Sequence, residues 1–166
     1  GDTEANAWLA DTRHAQPALF AMSYALASWL DSVGVKPDAM IGHSVGEYTA
    51  ACLAGVMSLE DALVAVIARG QAMAQQPRGA MLAVRASADV LEPLLPQDVE
   101  IAGCNAPALT VVSGPHHAIA ALSATLEAKG IGSNALTVSH AFHSAMMDSA
   151  LPAVELALGQ ASLRAP

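Results

Sequence analysis

The chain has 166 residues, of which 54% are hydrophobic and 13% charged, and its formal net charge is −8. This composition excludes a disordered chain and predicts one packed domain, or one domain with a small insertion. The acidic balance argues against nucleic-acid binding. No apolar run is long enough for a membrane span and no signal peptide opens the sequence, so we expect a cytoplasmic protein. Cys52 and Cys104 are isolated and predict small buried hydrophobes rather than metal ligands.

Residues 1–14 are polar and mixed in composition, which predicts an irregular lead-in before the first helix. The helix is predicted to start at Gln16-Pro17, because proline is favoured in a first helical turn. Gly34 is predicted to end it. Its apolar residues recur at helical spacing and predict one buried face: Leu19, Met22, Leu26, Trp29 and Leu30.

Residues 42–46 read G-H-S-V-G, which fits the pattern G-x-S-x-G. A short apolar run at residues 39–41 predicts a strand before it, and an alanine-rich segment predicts a helix after it. A strand, a sharp turn and a helix form the setting in which such a serine acts as a nucleophile. The N–H groups of Ser44 and Val45 would lie at the positive end of that helix, where they could stabilise an oxyanion. The alternative is a chance glycine-flanked serine in a loop.

The next helix is predicted to begin after Ser58, which has the character of an N-cap, and to end near Gln75. Arg69 is a charged residue inside this mostly apolar helix, with no acidic residue four positions before or after it. A solvent-facing arginine and a functional arginine both remain open from the sequence alone.

The pattern changes after residue 79. Strands are predicted at residues 80–84, 99–102, 109–113 and 135–138, with helices after the first and the third. The resulting order, βαββαβ, is that of the ferredoxin-like arrangement. We therefore predict a small subdomain inserted between the serine turn and the remainder of the chain.

A serine nucleophile needs a base within hydrogen-bond reach. Four of the six histidines fit other positions, beside the serine, in the lead-in or on a surface helix: His43, His14, His116 and His117. His140 and His143 remain, in a predicted loop before a helix at residues 145–158. Their spacing does not decide which of the two is the base. Surface histidines are the alternative. Asp148 is the nearest aspartate, but no aspartate clearly completes a triad, and a Ser–His dyad with the imidazole held by a backbone carbonyl would serve as well.

Six short sequence patterns occur in a fixed order: Q-P-A-L-F-A at 16–21, G-H-S-V-G-E-Y at 42–48, S-L-E-D-A at 58–62, Arg69-Gly70 with Met73, V-S-G at 112–114, and H-A-F-H-S at 140–144. Together they resemble the acyltransferase domain of modular type I polyketide synthases, which is related to malonyl-CoA:acyl-carrier-protein transacylase. The resemblance covers nearly all of residues 16–158.

The resemblance implies an α/β fold: an α/β-hydrolase-like core that carries an inserted ferredoxin-like subdomain. Residues 1–76 and 139–166 would belong to the core, and residues 77–138 would form the subdomain. The family has a glutamine-containing segment ahead of this region and further strands beyond the equivalent of Pro166. The chain is therefore expected to represent part of such a domain.

The resemblance also implies roles for individual residues. Ser44 matches the nucleophile, His143 the general base, and Arg69 the arginine that holds the free carboxylate of a malonyl group. Val45 matches the position whose backbone N–H contributes to the oxyanion hole. Gln16 is expected to line the site.

The implied substrate is malonyl-CoA, and the implied acceptor is the phosphopantetheine thiol of an acyl carrier protein within a multidomain synthase. No metal or resident cofactor is implied. In the family, the pattern from His140 to His143 with Phe142 accompanies malonyl units, and Val45 in place of glutamine agrees. Because one methyl group is worth only about 1–3 kcal/mol, we expect a preference over methylmalonyl rather than exclusion. The alternatives are a serine hydrolase such as a thioesterase, which does not need Arg69, and an inactive piece that requires further segments.

Overall fold

The computed structural model describes residues 3–166 and divides into two compact units. The first unit contains the described residues up to Gln75 together with Ala150–Pro166, and the second is Gln76–Ser149. Within residues 3–166, no helix combines the length and apolar character needed to cross a bilayer. The described helices are α1 (Thr3–Ala10), α2 (Thr12–Ser32), α3 (Gly46–Leu53), α4 (Leu59–Ala74), α5 (Ala88–Leu91), α6 (His116–Ala128) and α7 (Leu151–Gly159).

The start of the first unit is helical, and the prediction of an irregular lead-in is wrong from residue 3 onward. The carboxylate of Asp11 accepts a hydrogen bond from the N–H of Arg13 over 2.9 Å and caps α2. This cap moves the helix start ahead of the predicted Gln16-Pro17, so Pro17 lies inside α2 rather than in its first turn. An aspartate N-cap satisfies one of the unpaired amides of a helix start, which explains the earlier boundary.

The buried face of α2 differs from the predicted one. Thr12, Gln16 and Phe20 are its buried residues. Four members of the predicted apolar face are between 55% and 73% exposed: Leu19, Met22, Leu26 and Trp29. The helix packs against α3 and α4 through the side that carries Phe20, and the described residues of this unit do not bury the other side. Helical spacing identified an apolar stripe correctly, but it did not identify what covers that stripe.

The predicted strand before Ser44 is also absent. Residues 39–41 have no regular secondary structure, and Ile41 is 96% exposed. A strand exists only where a neighbouring strand accepts and donates its backbone hydrogen bonds. Over the described part of the first unit, no strand is present to pair with this segment.

The core of the first unit gathers residues from α2, α3, α4 and the connection between α3 and α4: Phe20, Cys52, Met57, Ala62 and Val66. The predicted cap of α4 is confirmed, because Ser58 Oγ accepts a hydrogen bond from the N–H of Asp61 over 3.0 Å. Gly34, which follows α2, has a φ of +85°, and Gly55, which follows α3, has a φ of +79°. The predicted stop at Gly34 is therefore confirmed, and Gly55 ends α3 in the same way, since a left-handed residue commonly ends a helix.

The second unit is a four-stranded antiparallel sheet with helices on one face. Its strands are β1 (Ala80–Val84), β2 (Glu100–Ala106), β3 (Leu109–Gly114) and β4 (Ser133–Ala135), in the spatial order β2-β3-β1-β4. Leu82 pairs with Val112 across β1 and β3, and Ala83 pairs with Asn134 across β1 and β4. Leu82, Val84 and Val112 pack with residues of α5 and α6, such as Leu91 and Leu122. The predicted order of elements is thus observed.

Two local predictions in this unit fail. The last strand lies at Ser133–Ala135, earlier than predicted. The helix predicted at residues 145–158 is observed, as a 3₁₀-helix, Ala145–Ala150, that continues into α7 of the first unit. Cys104 is exposed, whereas Cys52 is buried as expected. Cys104 lies on β2, an edge strand with two register shifts against β3, so its side chain is not carried into the core.

Candidate active site

Ser44 occupies a strained turn before α3. Its φ is +53°, a left-handed conformation that non-glycine residues rarely adopt. The carbonyls of His43, Ser44 and Val45 each accept a hydrogen bond from the amide three positions later. These amides belong to Gly46, Glu47 and Tyr48. The N–H of Val45 precedes these bonded amides, at the positive end of α3. The turn therefore has the sharp geometry that the sequence predicts, even though no strand leads into it.

Gly42 makes this turn sterically possible. A Cβ at Gly42 would lie 2.2 Å from the backbone nitrogen of Glu47 and 2.3 Å from the carbonyl carbon of Gly46. The N–H of Gly42 also donates a hydrogen bond to Glu47 Oε1 over 3.1 Å. A Cβ at Gly46, by contrast, would meet no described atom within 4 Å. The two glycines of the pattern thus have different functions in the fold.

The exchange Gly42→Ala is expected to lower the free energy of unfolding by about 1–3 kcal/mol, because the new methyl group would collide with backbone that cannot rotate away. Gly46→Ala is the matched control. It should leave stability within about 1 kcal/mol of the parent, since Ala is favoured in helices. Urea unfolding followed by circular dichroism measures both, and equal effects of the two substitutions would contradict this account of the turn.

Arg69 reaches the turn from α4. Its Nη2 donates a hydrogen bond to Ser44 Oγ over 3.2 Å, and its Nη1 donates to Gln16 Oε1. The Cζ atom lies 6.0 Å from the ring centroid of Tyr48, within the range of a cation–π contact. Burial lowers the pKa of Arg69, whereas Tyr48 acts in the opposite direction. The guanidinium stays charged at neutral pH, because an arginine side chain does not deprotonate in proteins.

No acidic side chain neutralises this guanidinium within the part of the chain whose side chains are described. The ion pairs recorded there join Arg13 with Asp11, Lys36 with Asp31, and His117 with Asp98. A half-buried cation without an ion-pair partner is unusual, since buried charges are normally paired. The arrangement leaves the charge of Arg69 available to an anionic group from outside the described side chains.

Gln16, predicted only to line the site, is 6% exposed and directly contacts Arg69. Its Nε2 donates to Thr12 Oγ1 over 2.7 Å and approaches Met73 Sδ at 3.4 Å. Thr12 and Tyr48 are site residues that sequence patterns did not predict. The four-residue spacing of Thr12 and Gln16 would have placed them on one helix face, but only once the true start of α2 was known.

The two remaining candidate histidines occupy different environments in the second unit. His140 is 6% exposed, forms an isolated bridge with Arg78, and its Nδ1 lies 2.7 Å from Ser139 Oγ. Its ring is 5.8 Å from that of Phe142. His143 is exposed and has a φ of +59°. His140 thus has the surroundings of a structural residue, and His143 those of an accessible one.

The loop that carries His143 is held closely to the small sheet. A Cβ at Gly79 would lie 2.6 Å from Ala141 Cβ, so glycine permits the contact. Ser144 Oγ donates to the carbonyl of Ala141 over 2.7 Å, and the N–H of Ala145 donates to Glu100 Oε2 over 3.1 Å. These contacts fix the backbone on both sides of His143.

Ser44 and His143 share one backbone property. Of the non-glycine residues that the structure describes, these two alone have a positive φ. Such conformations cost about 1–3 kcal/mol each and persist where the surrounding structure imposes them, often at functional sites. The residues that the resemblance matches to the nucleophile and the base are therefore also the two with unusual backbone geometry.

No group of three or more histidine, cysteine, aspartate or glutamate side chains in the described residues is arranged to hold a metal ion.

A family model described as the acyl transferase domain matches residues 3–166. The chain belongs to this family. The resemblance inferred from the six sequence patterns is confirmed. The family match covers all of the described residues.

Curated relatives of the family are much longer than this chain. Mycoketide-CoA synthase of Mycobacterium tuberculosis is 51% identical over 141 residues, which is 84% of this chain and 3% of that protein. A phenolphthiocerol synthesis polyketide synthase type I of Mycobacterium marinum is 44% identical over 161 residues, 96% of this chain and 8% of that protein. The chain therefore spans a small part of the curated relatives that it matches.

Solved acyltransferase domains have the same fold over the matched region. The acyltransferase domain from the second module of the salinomycin polyketide synthase matches with a TM-score of 0.93 and 41% identity, over 100% of this chain and 40% of that one. The acyl transferase domain of SpnD, in complex with 2-(pent-4-yn-1-yl)malonyl, matches with a TM-score of 0.86 and 42% identity, over 90% of this chain and 36% of that one. The predicted α/β fold class is confirmed.

Proposed function

We propose that this chain is part of a polyketide-synthase acyltransferase that moves a malonyl extender unit from CoA to an acyl carrier protein. An acyl ester on Ser44 is the intermediate. The observation that carries the proposal is the 3.2 Å hydrogen bond from Arg69 Nη2 to Ser44 Oγ, made by a guanidinium that has no acidic partner among the described side chains. A malonyl thioester presents both a carbonyl for the serine and a carboxylate for the arginine.

Acylation is proposed to begin when the substrate carboxylate binds Arg69. A carboxylate can bind the planar guanidinium of Arg69 through two parallel hydrogen bonds, and this directs the thioester carbonyl toward Ser44. Ser44 Oγ attacks that carbonyl while His143, the base that the family resemblance indicates, accepts the hydroxyl proton. The oxyanion that forms is stabilised by the N–H of Val45. The C–S bond then breaks, and CoA leaves as its thiol with the proton from His143.

Transfer repeats these steps in reverse with a different thiol. The phosphopantetheine thiol of an acyl carrier protein gives its proton to His143 and attacks the ester carbonyl. The ester C–O bond breaks and Ser44 recovers its proton. The chemistry needs no metal or resident cofactor. The proposed partners are an acyl carrier protein and the other domains of a multidomain, cytoplasmic synthase.

The finer fold assignment forms part of the same proposal. The order β2-β3-β1-β4 with two crossing helices supports a ferredoxin-like subdomain, which we assign to residues 77–138. Residues 1–76 and 139–166 are assigned to an α/β-hydrolase-like core. The strained turn at Ser44, followed directly by α3, supports that assignment, because such a turn is typical of hydrolase-like folds.

The pattern at residues 140–143 is proposed to select malonyl over methylmalonyl. Phe142 is half-buried and its ring lies 5.8 Å from that of buried His140, which restricts how far the phenyl group can move. A bulky ring held beside an acyl pocket would crowd an α-methyl group. His140 therefore supports Phe142 and is not assigned the role of the base.

Label transfer tests the proposal against a hydrolase. The chain is incubated with radiolabelled malonyl-CoA and increasing amounts of phosphopantetheinylated carrier protein, and label on the carrier is compared with free malonate. We expect carrier labelling that rises with carrier concentration and exceeds malonate release. Malonate release that the carrier does not reduce would instead identify a thioesterase.

A second candidate, an acyltransferase piece that acts only with further segments, is favoured by the exposed apolar stripe of α2. Leu19, Met22, Leu26 and Trp29 form an uncovered surface, and the chain matches only 40% of the salinomycin domain. The rest of an acyltransferase domain is the occupant we propose for it. Placing this chain in the matching region of the salinomycin domain tests the idea: activity of the chimera together with an inactive isolated chain would support it, and equal activity of both would contradict it.

A further inference from the structure

We infer that Thr12 is a positioning residue, which orients the amide of Gln16 so that a neutral carbonyl oxygen, and not a charged group, holds Arg69 beside Ser44. On this view Gln16 determines specificity for substrates that bring their own carboxylate. The inference rests on the proposed function, because it concerns how Arg69 is kept ready for the acyl group.

The Gln16 amide is fixed at both ends. Arg69 has only donors, so it must face the amide oxygen, and Nη1 donates to Oε1 accordingly. The two Nε2 protons have Thr12 Oγ1 at 2.7 Å and Met73 Sδ at 3.4 Å as acceptors. Thr12 and Gln16 are each 6% exposed, which leaves little room for water to replace these contacts. Turning the amide over would place two donors against a guanidinium, so one orientation is favoured.

The neutrality of the amide affects the charge of the site. A carboxylate at position 16 would form an ion pair with Arg69 and occupy the donors that a substrate carboxylate requires. The amide oxygen instead accepts one hydrogen bond and leaves the positive charge uncompensated. Gln16 therefore fixes the direction of the guanidinium without competing with the substrate for its charge.

The packing of α2 on α4 brings these groups together. A Cβ at Gly70 would lie 2.9 Å from the carbonyl oxygen of Thr12, so glycine allows α4 to approach the first turn of α2. Arg69 adjoins Gly70 and consequently comes within reach of Gln16. Thr12 acts through Gln16, because its hydroxyl oxygen accepts the hydrogen bond from Gln16 Nε2.

Three substitutions test the inference through the acylation of Ser44 by malonyl-CoA and by acetyl-CoA, which lacks the free carboxylate. Thr12→Val removes the acceptor and should raise KM for malonyl-CoA roughly three- to tenfold with kcat little changed. Thr12→Ser keeps the hydroxyl and should restore the parental KM. Gln16→Glu should raise KM for malonyl-CoA on the order of 100-fold. For each variant, the change in KM for acetyl-CoA should be much smaller than the change for malonyl-CoA.

A binding readout separates this inference from the proposed function. Malonate anion is titrated into the chain while the side-chain NMR signals of Arg69 and Gln16 are followed. In the parent we expect saturable shifts of both signals; Gln16→Glu should abolish the Arg69 response, and Thr12→Val should weaken it. A Gln16→Glu variant that binds malonate as the parent does, or Thr12→Val and Thr12→Ser variants that behave alike, would overturn the inference. Absence of any Ser44 acylation, with the malonate responses as expected, would overturn the proposed function and leave the amide orientation supported.

Discussion

Ser44→Ala is expected to eliminate the covalent malonyl intermediate and to reduce transfer to a carrier protein by a factor on the order of 10⁴ to 10⁶. The half-buried hydroxyl accepts a hydrogen bond from Arg69 and lies at the start of α3. Without its oxygen, no atom of this turn can form the ester, and the remaining groups can only bind the substrate. Rapid-quench labelling with malonyl-CoA, followed by protein mass spectrometry, measures the loss.

The stability of the same variant provides the control. Alanine keeps the Cβ that makes the φ of +53° unfavourable, so Ser44→Ala should neither relieve the strain nor change the fold. Ser44→Gly removes the Cβ and should stabilise the first unit relative to Ser44→Ala by up to about 1 kcal/mol. Labelling that persists at the parental level in Ser44→Ala would show that another residue carries the acyl group.

Arg69→Ala is expected to lower the preference for malonyl-CoA over acetyl-CoA roughly 10- to 100-fold. A hydrogen bond to a charged group contributes about 1.5–3 kcal/mol, and only malonyl offers a carboxylate to this guanidinium. The loss should therefore fall on malonyl-CoA, whereas acetyl-CoA should react at a similar or higher rate. Competition between the two substrates for one enzyme sample measures the ratio directly.

Two further variants define the cause of that change. Arg69→Lys keeps the charge but loses the planar fork, so its preference should lie between those of the parent and Arg69→Ala. Lys36→Ala removes an exposed cation that is paired with Asp31 at 3.4 Å, and it should leave the ratio unchanged. An unchanged ratio in Arg69→Ala would exclude the carboxylate role, and an equal change in Lys36→Ala would point to net charge instead.

Local features of the fold could be predicted because they depend on nearby residues. Ser58 caps α4, and Gly34 adopts the left-handed φ that ends a helix. The βαββαβ order followed from alternation and turn residues in the same way. Each of these features is determined within a few positions of the chain, where intrinsic conformational preference dominates.

Features that depend on distant partners could not be predicted. The apolar stripe of α2 was recognised, but the sequence does not say which face meets α4, and that face carries Thr12 and Gln16. The apolar segment at residues 39–41 was expected to be a strand, yet pairing requires a second strand that the described part of the first unit lacks. In both cases the sequence pattern shows which residues are hydrophobic. The structure depends on which other elements pack against those residues or pair with them.

The candidate site shows the same difference between features set by nearby residues and features set by distant ones. Ser44 and Arg69 stood out because a glycine-flanked serine and a lone charge in an apolar helix are both unusual in sequence. The role of Gln16 required the orientation of its amide, and the distinction between His140 and His143 required their burial. Such properties come from packing and hydrogen bonding, which residue spacing does not specify.

Peptide mapping of the acyl group most directly tests the claim that Ser44 and Arg69 form a malonyl-transfer site. The chain is treated with malonyl-CoA, quenched in acid, digested and analysed by tandem mass spectrometry, with Cys104→Ser included because Cys104 is an exposed thiol. We predict a single malonyl ester on the peptide that contains Ser44, unchanged in Cys104→Ser and greatly reduced in Arg69→Ala. A malonyl group found on Cys104 but not on Ser44, or equally abundant on Ser44 in the parent and in Arg69→Ala, would contradict the claim.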